Sequence, residues 1–313
     1  MARPTIKDVA ALAGVSAPTA SRAINGIRVN ADAARRVEQA VEALGFQRNA
    51  FARGLLLDRS SIIAMVMGET GPDVPGEFQR HAVEACRRRS YHLVADQVLK
   101  ASSAQRLVDA LVSRLRPDGL ILWSPAADDL HVITSLIEAK VPYVRIQGDP
   151  RKGPTIGVDA SATADAAFEI ARASQAQRVI YARGGEPAWA SAARSRSLSS
   201  VVKRSGAAVA LETVAAQDFE AGLSLGAAET APDRTAFICD SSGAALGVNE
   251  ALRRRGTEAS AIICFQDTAA LRLTSGHIRR QVLPVREMAE AAISQIVAGD
   301  RPPGPQSFAS RFL

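Results

Sequence analysis

From residue 60 onward, short apolar runs alternate with amphipathic segments whose apolar residues recur at helical spacing. This alternation constrains the fold strongly, because strands separated by helices form parallel sheets covered by helices on both faces. The pattern occurs in two consecutive sets, divided near Asp159, and therefore predicts two similar α/β lobes with a cleft between them. The predicted strands are 62–67, 91–95, 119–123 and 142–146 in the first set, and 178–182, 207–211, 235–239 and 260–265 in the second. The helices predicted in the first set are 78–89, 104–115 and 129–139.

Length and composition exclude several classes of protein. The 313 residues suffice for two or three domains, and a chain with 47% hydrophobic and 22% charged residues is not disordered throughout. No apolar run approaches the roughly 18 residues that a membrane helix needs, so we expect no membrane partner. The opening segment MARPTIKDVA lacks the apolar core of a signal peptide, which predicts a cytoplasmic protein.

The residues that usually carry catalysis or bind metals form no pattern in this sequence. Cys86, Cys239 and Cys264 lie far apart, so their spacing indicates neither a disulfide framework nor a zinc site. The four histidines show no spacing of metal ligands, and the motifs of serine hydrolases, zinc proteases and P-loop proteins do not occur. We therefore expect no catalytic residues, no metal and no cofactor.

The first 45 residues have the pattern of three short helices. The segment 5–8 resembles a capping box, with Asp8 in the place of the usual glutamate, and Gly14 ends the first helix. Ser16 is a good N-cap for the second helix, and Asn30 can cap the third.

Positive charge is concentrated in this N-terminal region. Residues 1–60 contain nine Lys and Arg against five Asp and Glu, a net +4 of the +6 carried by the whole chain. A small basic domain on a nearly neutral body suggests that the domain binds a polyanion. A basic surface that is merely solvated is an equally valid interpretation of the charge alone.

Two stretches of the N-terminal region resemble the lactose-repressor (LacI) family, namely TIKDVAALAGVSAPTASRAING (5–26) and LGFQRNAFARGLL (44–56). Weaker similarity continues in RPDGLIL (116–122), KVPYV (140–144) and PVREMAEAA (284–292). The resemblance implies an N-terminal all-α helix-turn-helix head and an α/β periplasmic-binding-protein-like core of two doubly wound parallel-sheet lobes. The domains implied are a DNA-binding head (1–47), a hinge helix and linker (48–59) and a core (60–313), with a first lobe of about 60–158 plus 285–300 and a second of about 159–284.

In a helix-turn-helix, the second helix lies in the major groove and its N-terminal residues contact base edges. Arg22 can donate two hydrogen bonds to a guanine, a pair that discriminates by about 1–3 kcal/mol, whereas Ala17 and Pro18 offer only apolar contacts. Short polar side chains suit phosphate oxygens, although Ser16 and Asn30 can equally act as caps alone. The DNA-binding residues predicted in the head are Thr5, Ser16, Ala17, Pro18, Thr19, Ser21, Arg22, Asn25 and Asn30.

Residues 49–57 resemble the hinge helix of the family, which inserts a leucine into the minor groove at the centre of the operator. By this resemblance Leu55 is the inserted residue and Arg53 is a further DNA contact. So short a helix is unstable in isolation, and Gly54 weakens it by roughly 0.5–1 kcal/mol, so we expect it to fold on DNA. The alternative that Leu55 merely begins the core of the next domain stays open.

The resemblance also implies a small effector between the lobes. It assigns Arg194 to a hydroxyl pair or carboxylate of the ligand, and Phe219 to stacking on a ligand ring. Asp159, Ser241 and Gln266 complete the predicted ligand-binding set, although Asp159 could be only a helix cap and Phe219 only a core residue. Gln266 stands where the family has an aspartate, and it bonds a ligand without charge. A hexose is therefore disfavoured, and the cleft takes another metabolite or has lost its ligand.

These features together predict a transcriptional repressor that binds a near-palindromic double-stranded DNA operator as a homodimer and responds to a sugar-like or other small-molecule effector. A DNA-binding regulator whose cleft no longer responds to a ligand is the first alternative. A solute-binding transport receptor is the second, and the basic head and the missing export signal argue against it.

Overall fold

The computed structural model describes residues 4–24, 26–46, 59–68, 74–98, 103–124, 126–184, 189–206, 208–274, 276–298 and 304–313. The chain separates into two compact units, Met1–Arg59 and Ser60–Leu313. The finer division of the chain into head, hinge and lobes stays a prediction in its boundaries.

The first unit contains three helices, α1 (Ile6–Ala13), α2 (Ala17–Ile24) and α3 (Ala31–Leu44). Each helix buries small or branched apolar residues spaced three or four apart, and these residues form one shared core. The core consists of Val9, Ala10, Ala13, Ala20, Ile24, Val37 and Ala40. The prediction of three short helices over residues 5–45 is confirmed.

The second unit contains two parallel sheets of similar size. The first sheet has the strand order β11-β5-β4-β3-β1-β2, and all of its pairings are parallel. Its strands are β1 (Ile62–Gly68), β2 (His92–Val98), β3 (Gly119–Leu122), β4 (Tyr143–Ile146), β5 (Thr155–Val158) and β11 (Gln306–Phe308). The accompanying helices are α4 (Val74–Arg88), α5 (Ala104–Leu115), α6 (Leu130–Glu138) and α12 (Val285–Val297).

The second sheet has the order β12-β10-β9-β8-β6-β7, in which only the pairing of β10 with β12 is antiparallel. Its strands are β6 (Arg178–Arg183), β7 (Ala210–Ala215), β8 (Thr235–Cys239), β9 (Ala261–Cys264), β10 (Ile278–Val282) and β12 (Arg311–Phe312). Its helices are α7 (Ala160–Ala173), α8 (Trp189–Ser205), α9 (Phe219–Ala228), α10 (Ser242–Arg254) and α11 (Ala269–Arg272).

Both faces of each sheet are buried, because successive side chains of a strand point to opposite sides. In β1, Met65 packs in one core cluster with α4 and α12, while its neighbours Ala64 and Val66 pack in another with α5 and α6. The second sheet is divided in the same way, with Tyr181 and Ile180 in separate clusters. This arrangement is the doubly wound fold that the alternation of strands and helices predicts.

Several strands differ from the sequence prediction. The strand expected at 207–211 lies instead at Ala210–Ala215, because its pairing with β6 begins at Arg178 opposite Ala210. The strand lies at the edge of the sheet, so the charged Glu212 within it can face solvent. The short strands β5, β10, β11 and β12 were not predicted, since two to five residues of mixed polarity carry no periodic signal.

Three connections link the two lobes. The chain passes from β5 into α7 through Asp159, and from β10 into α12 through Leu283 and Pro284. The C-terminal segment then pairs with β5 through β11 and with β10 through β12, so that residues 309 and 310 form the third connection.

Among the described residues, no helix is long and apolar enough to cross a membrane. Within the same part of the chain, no group of three or more His, Cys, Asp or Glu side chains is arranged to hold a metal ion.

Candidate nucleic-acid interface and ligand cleft

The first two helices of the head are joined by a tight turn. Gly14 ends α1 in the left-handed conformation with φ of 63°, which glycine adopts without the strain that other residues incur. Ser16 then caps α2, since its Oγ accepts a hydrogen bond from the Thr19 N–H at 3.3 Å and lies 2.8 Å from the Thr19 hydroxyl. Two helices connected in this way have the geometry of a helix-turn-helix.

The second helix presents one side to the core and the other to solvent. Ala20 and Ile24 are buried in the head core, whereas Pro18 and Arg22, four residues apart, are exposed on the opposite side. Arg22 forms no ion pair with any described residue, so its guanidinium is available for an external partner. Ala17, Thr19 and Ser21 are half-buried beside this exposed side.

The other polar residues predicted to bind DNA begin helices. Thr5 donates from its backbone N–H and its hydroxyl to Asp8 Oδ2, both at 2.7 Å, and these bonds hold the pKa of the Asp8 carboxyl below its ordinary value. The predicted capping box is confirmed. Asn30 accepts a hydrogen bond from the Asp32 N–H at 2.9 Å, so it caps α3. Capping through Oδ1 leaves the side-chain amide N–H groups of Asn30 able to donate to phosphate, whereas Thr5 already donates both its N–H and its hydroxyl proton to Asp8.

Three of the predicted DNA contacts, Asn25, Arg53 and Leu55, lie outside the described residues, as does the hinge helix predicted at 49–57. Their roles stay predictions.

In the second unit, a buried ion pair lies at the carboxyl edge of the second sheet. Asp240 follows β8, and its Oδ1 accepts from Arg194 Nε of α8 at 2.8 Å. Asp240 Oδ2 accepts from the Gly184 N–H at 3.0 Å and from the Ser191 hydroxyl. The strand order reverses between β6 and β8, so this pair lies at the switch point where ligands of doubly wound proteins bind.

Burial and charge act on this pair in opposite directions. Burial alone raises the pKa of Asp240, but Arg194 and the Ser191 hydroxyl outweigh it and hold the pKa below its ordinary value. Burial likewise disfavours the charged form of Arg194, but Asp240 raises its pKa. The Arg194 guanidinium also lies 5.0 Å from the centre of the Phe265 ring, a cation–π distance.

A small cavity lies between the lobes beside Arg194. Its volume is about 10 Å³, enough for roughly one water molecule, and its lining includes Gln147 from the first lobe and Trp189 from the second. The lobes also meet directly, because Asp128, after β3, accepts a hydrogen bond from the Trp189 N–H at 3.1 Å. Burial raises the pKa of Asp128, and this hydrogen bond and Arg145 oppose the shift. The described residues on the two sides of the cleft are therefore in direct contact beside Arg194.

The five predicted ligand-binding residues occupy different surroundings. Arg194 lines the cavity. Asp159 caps α7 by accepting from the Ser161 N–H at 2.7 Å, and Ser241 caps α10 by accepting from the Ala244 N–H at 3.1 Å. Gln266 Oε1 accepts from the Ser242 N–H at 3.0 Å. Phe219 is 38% exposed at the start of α9, so it is not a core residue.

Sequence reasoning did not select four residues that the structure brings to the cleft, namely Asp128, Gln147, Trp189 and Asp240. Asp240 lies directly beside the predicted Ser241, and an acidic residue immediately after a buried strand was the available signal. No local pattern in the sequence distinguishes Asp128 and Trp189. Their contact depends on how the two lobes meet, which the sequence around each residue does not indicate.

The head of this chain matches a known family. Residues 5–49 match the model of the family described as bacterial regulatory proteins, lacI family. Among curated proteins, the chain is 28% identical over 162 residues to the HTH-type transcriptional regulator KdgR of Bacillus subtilis, a match that covers 51% of this chain and 46% of that protein. It is 36% identical over 126 residues to the HTH-type transcriptional regulator PtxS of Pseudomonas aeruginosa, covering 38% and 36%. The matches thus span less than half of these relatives.

Solved structures match over the whole chain. The Lac repressor dimer bound to operator and the anti-inducer ONPF superposes with a TM-score of 0.86 at 18% identity, covering 100% of this chain and 98% of that one. The complex of the transcriptional regulator CelR with cellobiose superposes with a TM-score of 0.68 at 21% identity, covering 99% and 98%. At these identities the likeness establishes a common fold, a helix-turn-helix followed by two α/β lobes. Residues 5–49 therefore match the lacI family of bacterial regulatory proteins, and the whole chain has the fold of these solved structures.

Proposed function

We propose that this protein is a sequence-specific transcriptional repressor that binds a near-palindromic operator as a homodimer in the cytoplasm. The proposal rests on helix α2. This helix follows the turn of the helix-turn-helix, is capped by Ser16, and exposes Pro18 and Arg22 on its outer side. A helix of this kind fits the major groove with its N-terminal residues against base edges.

Charge and helix capping support the same function. The net +4 of residues 1–60 attracts the phosphate backbone, and neutralising phosphates releases counterions, so affinity falls as salt rises. The helix N-termini at Thr5, Ser16 and Asn30 favour phosphate oxygens, which fix the position of the head on DNA. A dimer with two-fold symmetry reads an operator with the same symmetry.

We further propose that a small effector binds between the two lobes and shifts the affinity for the operator. CelR, a protein of the same fold, has been solved in complex with cellobiose, and the cleft here holds Arg194 at a topological switch point. An effector of this kind must bind one conformation of the lobes better than the other, and coupling of about 1–3 kcal/mol is typical.

One observation favours a second candidate, a repressor whose cleft does not respond to any ligand. Arg194 is already paired with Asp240, and the cavity beside it is small. Thermal-shift measurements with sugars and nucleosides separate the two candidates, because a responsive cleft raises the melting temperature with one of these ligands.

Electrophoretic mobility shifts test the proposed function directly. Full-length protein is titrated against duplex DNA from upstream of its own gene at moderate ionic strength, in the presence of excess bulk competitor DNA. We expect a discrete shifted complex that a matched scrambled duplex does not form. No preference for any duplex, with or without metabolites, would contradict the proposal.

Arg22→Ala is expected to relax sequence preference at one base pair of each half-site. Arg22 projects from the exposed side of α2, and loss of a bidentate contact to guanine removes about 1–3 kcal/mol of discrimination there. A binding assay over all single substitutions of the operator measures this. Arg35→Ala is the matched control, since Arg35 lies on α3 beside Asp32 at 2.7 Å. Equal weakening of every sequence would show that Arg22 contacts only phosphate.

Leu55→Ala is expected to reduce the bending of operator DNA and to leave ligand binding in the core intact. An apolar side chain inserted into the minor groove kinks the duplex by unstacking a base step, which alanine is too short to do. Circular-permutation gel shifts measure the bend angle. Leu12→Ala, at an exposed leucine of α1, serves as the control. An unchanged bend angle in the Leu55 variant would refute the assignment.

A further inference from the structure

The C-terminal segment 306–313, which we call the strap, crosses from one of the other two connections between the lobes to the other. Its first strand, β11, pairs with β5 up to Val158, the last residue before the connection at Asp159. Its second strand, β12, pairs with β10 up to Val282, directly before the connection that begins at Leu283. The strap therefore lies beside one connection in the first lobe and beside the other in the second lobe.

One buried amide joins the strap to both of these connections. Gln281, in β10 two residues before the connection at Leu283, is 2% exposed. Its Nε2 donates to the Ser310 hydroxyl of the strap at 2.7 Å and to Thr163 Oγ1 at 3.3 Å. Thr163 lies in the first turn of α7, four residues after Asp159. Side chains close to all three connections thus share one amide group.

Packing alone does not hold the strap in place. A cavity of about 280 Å³ lies against both the strap and α7, and its lining includes Thr163, Ala166, Phe308 and Ser310. Protein interiors are normally close-packed, so a space of this size leaves one side of the strap without dispersion contacts. The attachment of the strap therefore depends on its strand pairings and on the hydrogen bonds of Gln281.

We propose that Gln281 is a positioning residue of the hinge between the lobes, whose amide holds the strap so that the three connections bend together and the lobes keep one resting angle. Hydrogen bonds are directional, so a buried amide with two defined acceptors favours a single arrangement of the segments that carry them. A buried donor left without an acceptor costs free energy, which opposes movement of one connection away from the others. The inference goes beyond the proposed function, because it concerns how the core moves whether or not the protein binds operator or effector.

Hydrogen exchange measured by mass spectrometry on the full chain tests the inference. Gln281→Leu removes the amide and keeps a side chain of similar size. We expect backbone amides near all three connections, in peptides covering 156–166, 278–288 and 306–313, to exchange about fivefold faster in this variant, since loss of one hydrogen bond changes a local opening equilibrium by about that factor. Exchange in the central strand at 235–239 should be unchanged.

Two further variants separate a residue that joins the connections from a purely local anchor. Ser310→Ala removes the shorter of the two bonds at a half-buried position, so it should loosen the same three regions, and it serves as the test if the first variant does not fold. Gln295 of α12 donates to the Gly304 carbonyl at 3.4 Å and to Gln306 Oε1 at 3.3 Å, which ties the start of the strap to the first lobe only. Gln295→Leu is therefore the matched control, and it should leave exchange near the other two connections unchanged.

The spread of distances between the lobes is a readout that local fraying of the strap does not change. Spin labels are attached at Glu138→Cys in α6 of the first lobe and at Lys203→Cys in α8 of the second, both exposed positions. The native cysteines are buried, so the introduced ones take the label. Doubly labelled chain is mixed with a large excess of unlabelled chain, which removes distances across a dimer. Double electron–electron resonance should give a broader distribution with Gln281→Leu than with the wild type or Gln295→Leu.

Three results would overturn the inference. Faster exchange confined to the strap would show that Gln281 only anchors β12, and an unchanged distance distribution would show that it does not hold the angle between the lobes. Unchanged exchange in both Gln281→Leu and Ser310→Ala would show that these bonds hold nothing in place. Neither measurement uses operator or a ligand, so a negative result refutes this inference and leaves the proposed function untouched.

Discussion

Asp240→Asn is expected to lower the free energy of unfolding by about 3 kcal/mol, because it leaves the Arg194 guanidinium buried without its counter-charge. The side chains of Asp240 and Arg194 are only 5% and 17% exposed, so water replaces the lost carboxylate poorly. Asparagine keeps the shape and one acceptor for the Gly184 N–H, so the change reports mainly on charge. Urea denaturation followed by circular dichroism measures the loss.

Asp165→Asn is the control for this substitution. Asp165 pairs with Arg204 at 2.8 Å in the same lobe, but both side chains are about half exposed, and such pairs contribute between 0 and about 1 kcal/mol. Equal losses in the two variants would contradict the claim that burial makes the Asp240 pair important.

The buried pair of Asp240 and Arg194 makes the free energy of unfolding depend on pH. The folded-state pKa of Asp240 is below its ordinary value of 3.8, so the unfolded chain binds its proton first as the pH falls. The stabilisation is therefore complete above about pH 4 and is lost as the pH falls through the folded-state pKa. We expect the stability of the wild type to decline more steeply in this acidic range than that of Asp240→Asn.

Gly247→Ala is expected to cost about 3 kcal/mol, at the upper end of the usual cost of overpacking. A Cβ atom at Gly247 would lie 2.1 Å from the Phe219 carbonyl oxygen and 2.5 Å from the Leu223 nitrogen, both in the backbone of α9. Backbone atoms cannot rotate away as a side chain does, so α9 and α10 would have to separate. A lower melting temperature and a lower urea midpoint would both report the change.

The same change from glycine to alanine at position 76 is expected to have the opposite effect on stability. Gly76 lies in the first turn of α4, and no described atom outside its own helix turn comes within 4 Å of the position that an added Cβ would take. Alanine restricts the unfolded chain and favours a helix, so stability should stay constant or rise by up to about 1 kcal/mol. If Gly247→Ala is also neutral, the close approach of α9 and α10 is wrong.

The parts of the fold that follow from local periodicity could be predicted from the sequence. The helix expected at 104–115 is confirmed as Ala104–Leu115, since Ala104, Val108 and Leu111 recur on one buried side. The strand expected at 235–239 is confirmed as Thr235–Cys239, a short apolar run that is buried throughout. In both elements the burial depends on residues within the segment itself.

Elements whose buried polar residues form hydrogen bonds with residues far away in the chain could not be predicted. Strand β10 contains Gln281, which is 2% exposed because its amide donates to Ser310 at 2.7 Å and to Thr163 at 3.3 Å. Arg145 is fully buried in β4, where its guanidinium donates to the carbonyl groups of Ala127, Asp149 and Gly153. Nothing in the neighbouring sequence indicates partners that only the folded chain supplies.

The candidate site likewise contains local contacts that could be predicted and long-range contacts that could not. The caps at Thr5, Ser16 and Asn30 are local, and the sequence predicts them correctly. The cleft depends on contacts between segments far apart in the chain, such as Arg194 with Asp240 and Asp128 with Trp189. Sequence reasoning therefore identified Arg194 but not the residues that hold it.

The C-terminal segment affects how the two lobes can move. A single tether would let the lobes swivel and slide in many directions, but Asp159, Leu283–Pro284 and residues 309–310 join them at three places, with β11 beside β5 and β12 beside β10. Three links favour hinge bending of the lobes over the twisting and sliding that a single link would allow. A ligand that changes the angle between the lobes is therefore expected to act by bending at these links, and deleting residues 309–313 would remove one link together with β12.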